Sequence, residues 1–124
     1  MIINSDEIEE RAIERVAELM CVAARTAPKA RGNDNLITMI VKAREKDKLS
    51  EEMLRIAKQH NLPNYERDAK GVDKAALIVL LGQKPIPLGV PVCGYCGFNN
   101  CAECAKESGV CAVSTGDLGI AIGS

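Results

Sequence analysis

Five of the six cysteines lie in a stretch of nineteen residues, called here the cysteine segment (residues 93–111), with the spacing Cys93-x2-Cys96-x4-Cys101-x2-Cys104-x6-Cys111. Two residues between cysteines allow a tight turn to direct both thiolates at one metal centre. Gly94 and Gly97 stand beside the first pair, where glycine permits a positive φ and a close backbone approach. Thiolate-only sites select iron–sulfur clusters or zinc rather than magnesium or calcium. The pattern therefore predicts a metal or cluster site.

Three kinds of site fit these cysteines: an iron–sulfur cluster, a structural zinc site and a thiol–disulfide redox site. Cys96, Cys101 and Cys104 have the x4 and x2 spacing of plant-type 2Fe-2S proteins, with only Cys93 or Cys111 left as the fourth ligand. Two Cys-x2-Cys turns four residues apart are crowded for a four-cysteine zinc site. The spacing favours an iron–sulfur cluster and leaves its nuclearity open.

Few other residues have the types needed for chemistry. Arg25, Lys29 and Arg31 surround one predicted loop, where they could bind a phosphate such as that of FMN or form an ordinary solvated loop. His60, the single histidine, is at a predicted helix end, and Cys21 is far from the other cysteines. With one histidine and no phosphate-binding glycine motif, hydrolase chemistry is not expected.

The first third of the chain predicts a helix, a loop and a strand. Asn4 and Glu7 form a capping pattern, and a helix is expected from there to about Thr26, before Pro28. Its predicted packed face consists of Ile8, Ala12, Val16, Leu19, Met20 and Ala23. A polar loop at 29–35 should lead to a strand at 36–41 that is covered on both faces.

The remaining elements alternate in the same way. A second helix is expected to start at Asp47 or Ser50 and end near His60, before a polar loop at 62–73. Residues 75–81 predict a second buried strand, and the proline-rich stretch 84–91 predicts an extended connector. The cysteine segment should depend on a bound ion for order, and a last helix should open near Thr115.

Composition limits the class of protein. The 124 residues are 47% hydrophobic and 27% charged, and the net charge is −1, with only three aromatic residues. Such a chain folds into a globular domain and lacks both the positive field and the stacking surfaces of nucleic-acid binders. The longest apolar run, residues 75–82, is too short for a membrane span, and the acidic N-terminus lacks the basic, apolar and cleavage regions of a signal peptide. We expect a cytoplasmic protein that binds neither nucleic acid nor membranes.

Three stretches resemble a family of uncharacterised proteins that contain a ferredoxin domain: residues 22–32, Cys93-Gly94-Tyr95-Cys96-Gly97-Phe98-Asn99-Asn100-Cys101-Ala102-Glu103-Cys104, and residues 117–124. The same cysteine pattern is similar to the 4Fe-4S module of corrinoid iron–sulfur proteins. These resemblances imply a 4Fe-4S cluster held by Cys93, Cys96, Cys101 and a fourth cysteine. They favour Cys111 as that ligand, with Cys104 as the other candidate. They also imply a chain that continues beyond Ser124 and an anaerobic host.

A second resemblance is to flavin-dependent nitroreductases. Ala27-Pro28 before a strand and Asp117-x-Gly119-x-Ala121 at a helix start match that family's short motifs, although its cofactor-binding positions fall on Lys29, Gly32 and Asp34. This resemblance implies an α+β fold with a nitroreductase-like core, a tendency to form homodimers, and FMN as an alternative cofactor.

Together these observations predict an α+β protein with a core at 1–92 and a cysteine-rich region at 93–124. The predicted function is iron–sulfur electron transfer with a redox partner protein. A structural zinc-binding interaction module and a flavin-linked oxidoreductase are the alternatives.

Overall fold

The computed structural model describes residues 1–124 and is an α+β structure. In chain order its elements are helix α1 (Ser5–Thr26), a 3-10 turn (Ala30–Gly32), strand β1 (Leu36–Lys42), helix α2 (Ala43–His60), helix α3 (Pro63–Lys74), strand β2 (Leu77–Gln83), helix α4 (Cys101–Lys106) and helix α5 (Ala112–Gly123). The α+β class predicted from the sequence is confirmed.

Helix α1 starts at the predicted capping pattern. The Asn4 amide donates to Glu7 Oε2 at 3.3 Å, and the Glu7 amide donates to Asn4 Oδ1 at 3.0 Å. This reciprocal pair satisfies two amides that have no partner inside the helix. The predicted end at Thr26 is also confirmed.

The predicted packed face of α1 was wrong. Ile8, Val16, Leu19 and Met20 are each about half exposed, between 52% and 54%. The buried residues of α1 are instead Ala17 and Ala24, at 2% and 1% exposure. Alanine lets a neighbouring backbone approach closely, so α1 is buried along its small residues and presents its large aliphatic side chains outward.

The two strands form a two-stranded sheet. The Lys84 amide, just after β2, donates to the Asn35 carbonyl, just before β1, at 3.0 Å, so the strands run antiparallel. Both strands were expected to be covered on both faces, and this was wrong: Ile37, Met39 and Leu80 are exposed, at 43%, 53% and 39%. An apolar run alone does not show how many of its faces are covered.

Helix α2 differs from prediction at its start, and helix α3 was not predicted. Helix α2 begins at Ala43, directly after β1, so the predicted caps Asp47 and Ser50 lie inside it. Residues 62–73 were predicted to be a loop but belong mostly to α3. Pro63 is the first residue of α3, where its missing N–H costs nothing.

The α2–α3 pair is held by buried polar contacts as well as by Ala57 and Ala69. Lys46 Nζ donates to the carbonyls of Val72 and Asp73, at 3.1 and 2.7 Å, at the end of α3. Ser50 Oγ donates to the Ala69 carbonyl at 3.0 Å. These bonds supply partners for helix carbonyls in the last turns of α3.

The chain forms two compact units, each made of separate segments. The first comprises residues 1–18 and 40–80, and the second comprises residues 19–39 and 81–124. The second unit has a core of Ala24, Ala27, Leu36 and Ala121, with Leu81 and Leu118 packed against it. This division does not follow the predicted boundary between residues 92 and 93, which stays a prediction.

The region after β2 follows the predicted order. Residues 84–90 have no regular secondary structure, as expected of the proline-rich connector, and α5 is the predicted last helix. Helix α4 inside the cysteine segment was not predicted. None of the helices is at once long and apolar enough to cross a membrane.

Candidate functional site

The cysteine segment is organised around the short helix α4. Cys101 and Cys104 are three residues apart on this helix, so their side chains are neighbours on its surface. Asn100 caps the helix by accepting a bond from the Glu103 amide at 2.8 Å. The Glu103 carboxylate in turn accepts from the Asn99 amide at 2.6 Å. The run Asn99-Asn100-Cys101-x-Glu103 therefore starts the helix by local contacts alone.

The turn that carries Cys93 and Cys96 requires its glycines. Gly97 has a φ of +91°, a value that favours glycine, and its amide donates to the Gly94 carbonyl at 3.0 Å. A Cβ at Gly94 would lie 3.0 Å from the Phe98 carbonyl oxygen. The positive φ predicted beside the first cysteine pair is thus confirmed at Gly97, and Gly94 serves close approach instead.

Cys111 ends the segment immediately before α5. It is buried, and its carbonyl accepts from the Thr115 amide and the Thr115 hydroxyl, both at 3.0 Å. These bonds fix the start of α5 and with it the position of the Cys111 backbone.

Cys104 is the centre of the cysteine segment. Only 1% of it is exposed. Burial raises the pKa of its thiol, and the neighbouring Cys96, Cys111 and Cys101 raise it further, with Cys96 having the largest effect among them. Cys96, Cys101 and Cys111 are therefore near enough to Cys104 to affect its ionisation.

The thiols of the cysteine segment have the chemistry that a soft metal prefers, but their side chains are not arranged as metal ligands. All six cysteines are free thiols. No group of three or more histidine, cysteine, aspartate or glutamate side chains has the arrangement that would hold a metal ion. A thiol-only donor set fits an iron–sulfur cluster or zinc, and either would require the side chains to turn toward a common centre.

The three basic residues proposed as an anion site each have acceptors inside the protein. Arg25 pairs with Asp34 at 2.6 Å and donates to the Leu36 carbonyl at 2.8 Å. Lys29 Nζ donates to the carbonyls of Ala24, Arg25 and Ala27 at the end of α1, and Arg31 donates to those of Leu88 and Gly89. These donors stabilise the loop and the helix end. The phosphate or FMN site stays a prediction, which these contacts do not favour.

The two short motifs that resemble nitroreductases meet in the second unit. Asp117 is buried in α5, and its two carboxylate oxygens accept from the Ala30 amide at 3.0 and 3.2 Å. Ala30 lies two residues after Pro28. The motif carboxylate therefore holds the turn that follows α1.

Two groups outside the cysteine segment have ordinary surroundings. His60 is exposed as the last residue of α2. Cys21 is partly buried on α1, outside the cysteine segment. Phe98 and Gly109 pack beside Cys104 and were not predicted; the one signal for them in the sequence is that Phe98 is the single phenylalanine of the chain.

The chain is similar along its whole length to an archaeal protein. The sequence is 33% identical over 132 aligned positions to an uncharacterized protein of Archaeoglobus fulgidus, and the alignment includes 100% of this chain and 71% of the relative. The chain belongs to the same family as this archaeal protein. No family model matches the sequence, and no solved structure matches it. The relative has no described function, so membership of this family gives none to the chain, and the resemblances to ferredoxin-domain proteins and nitroreductases stay predictions.

Proposed function

We propose that this protein is an iron–sulfur electron-transfer protein whose cysteine segment holds a 4Fe-4S cluster. The observation that supports this most is that Cys96, Cys101 and Cys111, all from the cysteine segment, lie near enough to the buried Cys104 to raise the pKa of its thiol. Four soft ligands within one short segment match the requirement of such a cluster. The resemblance to 4Fe-4S modules counts Cys93 among the ligands and leaves the choice between Cys111 and Cys104 open, so all five cysteines stay candidates.

The chain's own residues would define the surroundings of the cluster. Cys104 and Cys111 are buried, whereas Cys93, Cys96 and Cys101 are partly exposed. The three partly exposed cysteines are therefore the ones through which a redox partner protein would reach the cluster. The raised pKa of Cys104 keeps its thiol protonated until a metal displaces the proton. When bound, the cluster would supply one-electron transfer.

Zinc and flavin are the competing occupants. A structural zinc site would use the same thiols, while an oxidoreductase of nitroreductase type would bind FMN elsewhere on its core. Anaerobic purification, followed by iron, sulfide, zinc and flavin analysis and by spectra before and after dithionite, distinguishes the three. We expect near-stoichiometric iron and sulfide and a brown absorption that bleaches on reduction. One zinc per chain without a reducible chromophore, or flavin released on denaturation, would contradict the proposal.

Single cysteine variants then identify the ligands. Cys104→Ala, Cys111→Ala and Cys93→Ala are compared for iron content, with Cys21→Ala as the matched control because Cys21 lies on α1, outside the cysteine segment. We expect Cys104→Ala and Cys111→Ala to lose the cluster and Cys21→Ala to retain it. Full iron in Cys104→Ala together with loss of iron in Cys93→Ala would restore the set Cys93, Cys96, Cys101 and Cys111.

We also propose that the protein forms homodimers through the outward aliphatic side of α1. Ile8, Val16, Leu19 and Met20 are each more than half exposed on this helix, and monomers rarely leave a large contiguous apolar surface uncovered. Sedimentation velocity should show a dimer that Leu19→Asp converts to monomer, while Glu10→Ala, a charge on another side of α1, leaves it intact. A monomeric wild-type protein would contradict this.

A further inference from the structure

Phe98 and Gly109 make an unusually close contact beside Cys104. A Cβ added at Gly109 would lie 2.4 Å from Phe98 Cε2, 2.8 Å from Phe98 Cζ and 3.0 Å from Cys104 Sγ. The edge of the phenyl ring therefore occupies the space that any side chain at position 109 would need.

The need for glycine at position 109 comes from this contact and not from its backbone. Gly109 is not among the residues with positive φ, so other residues could adopt its conformation. Its amide donates to the Cys104 carbonyl at 2.8 Å, which fixes it against the end of α4. Gly109 is thus held beside the ring, and a side chain at position 109 would have to displace the ring.

The ring edge also lies beside the Cys104 sulfur. Both are within 3.0 Å of the same Cβ position, so they are no more than about 6 Å apart, a separation at which sulfur and an aromatic edge attract each other. Phe98 is itself partly buried and Cys104 is 1% exposed. An apolar ring in this place keeps water and oxidants from the thiol.

We infer that Phe98, seated on Gly109, is the cover of the cysteine segment, and that it limits access of solvent and electrophiles to Cys104. Phe98 and Gly109 are positioning residues that touch the ligand candidate and do no chemistry. In the metal-free chain the cover protects the thiol. Its second role, shielding a bound cluster from oxygen, rests on the proposed function.

The test measures alkylation of Cys104 by N-ethylmaleimide in the reduced, metal-free protein, with peptide mapping by mass spectrometry. The readout is the Cys104 rate divided by the Cys21 rate in the same chain, so that general loosening of the fold cancels. We expect Phe98→Ala and Gly109→Ala each to raise this ratio by roughly tenfold, as expected when a protected group becomes accessible by local opening.

Gly116→Ala is the matched control, because a Cβ there meets nothing within 4 Å; its ratio should equal that of the wild type. The double variant Phe98→Ala with Gly109→Ala should show much less than the combined effect of the two single variants, since removal of the ring removes the closest contacts of a Cβ at position 109 and leaves only the one of 3.0 Å to Cys104 Sγ. An unchanged ratio in Phe98→Ala, or fully additive effects in the double variant, would overturn the inference.

A second measurement separates this inference from the proposed function. In iron-loaded protein, Phe98→Ala should bleach in air several-fold faster than Gly116→Ala at equal initial iron content. A raised alkylation ratio in a protein that never binds iron supports the cover and contradicts the cluster. Bound iron with an unchanged alkylation ratio in Phe98→Ala supports the cluster and contradicts the cover.

Discussion

The α2–α3 pair and the cysteine segment are ordered by different kinds of contact. In the pair, the buried Lys46 and Ser50 donate to backbone carbonyls of α3, and every one of these donors is satisfied within the chain. In the cysteine segment, the buried residues include Cys104 and Cys111. The pKa of the Cys104 thiol is raised by its own burial and by other thiols of the segment.

The difference concerns what each region needs in order to stay folded. Hydrogen bonds from an ammonium or hydroxyl to a carbonyl are complete without any ligand. Thiols are weak donors and weak acceptors, so gathering them stabilises the segment little by itself. A metal that binds several thiolates adds its binding free energy to the folding of that segment. The α2–α3 pair should therefore be independent of metal, and the cysteine segment should not.

The largest expected effect is that of removing the proposed metal, and this effect should be confined to the cysteine segment. After chelation under reducing conditions, we expect amide hydrogen exchange in residues 93–111 to accelerate by at least about tenfold, because the segment then opens locally. Exchange in residues 43–74 should not change. Hydrogen-exchange mass spectrometry of loaded and chelated protein measures both regions at once, and equal acceleration in both would remove the distinction between them.

Replacing Lys46 should affect the α2–α3 pair strongly. Lys46→Met removes the donor to Val72 and Asp73 while keeping an apolar stem, and the carbonyls at the end of α3 lose a charged partner. We expect the free energy of unfolding to fall by about 1–3 kcal/mol. Lys48→Met is the control, because Lys48 makes only an exposed pair with Glu45 at 3.6 Å, worth well under about 1 kcal/mol. Urea unfolding distinguishes them, and equal losses would contradict a special role for Lys46.

Removing the α4 cap should weaken the cysteine segment alone. Asn100→Ala deletes the acceptor for the Glu103 amide, which should cost about 1 kcal/mol of local stability. Asn99→Ala is the control, since Glu103 accepts mainly from the Asn99 backbone amide, which the substitution retains. Faster exchange at residues 101–106 in Asn100→Ala, with residues 43–74 unchanged, would confirm the cap.

The smallest expected effects are opposite pH responses of the two regions. A hydrogen bond from Lys70 lowers the pKa of Glu66 in α3, so its contribution is present above the ordinary value of 4.5 and is lost as pH falls. Burial raises the pKa of the Cys104 thiol above its ordinary value of 9.0. Above that value the unfolded chain releases this proton first, so the metal-free segment loses stability as pH rises.

Amide hydrogen exchange measured across a range of pH tests the direction of the pH response in each region. In the metal-free protein, Cys104→Ala should remove the alkaline part of the response in residues 93–111 after correction for the intrinsic pH dependence of exchange. Glu66→Gln should remove the acidic part at α3. An alkaline response that persists in Cys104→Ala would assign it to another group.

Local patterns in the sequence predicted several elements correctly. The capping pair Asn4 and Glu7 placed the start of α1, and Asn61, which is left-handed at a φ of 53°, marked the end of α2. Helix α3 was missed because Pro63 was interpreted as an interruption rather than a first helical residue. The start of α2 was missed because no capping side chain marks it.

The sequence by itself determined which cysteines can lie close together through local turns, Cys93 with Cys96 and Cys101 with Cys104, and predicted the positive φ beside the first pair that the structure has at Gly97. Only the tertiary structure decided that Cys104 is the buried centre, that Phe98 rests on Gly109, and that α1 is buried along its alanines. The physical reason is that spacing sets which residues can meet locally, whereas burial depends on the contacts made by distant parts of the chain.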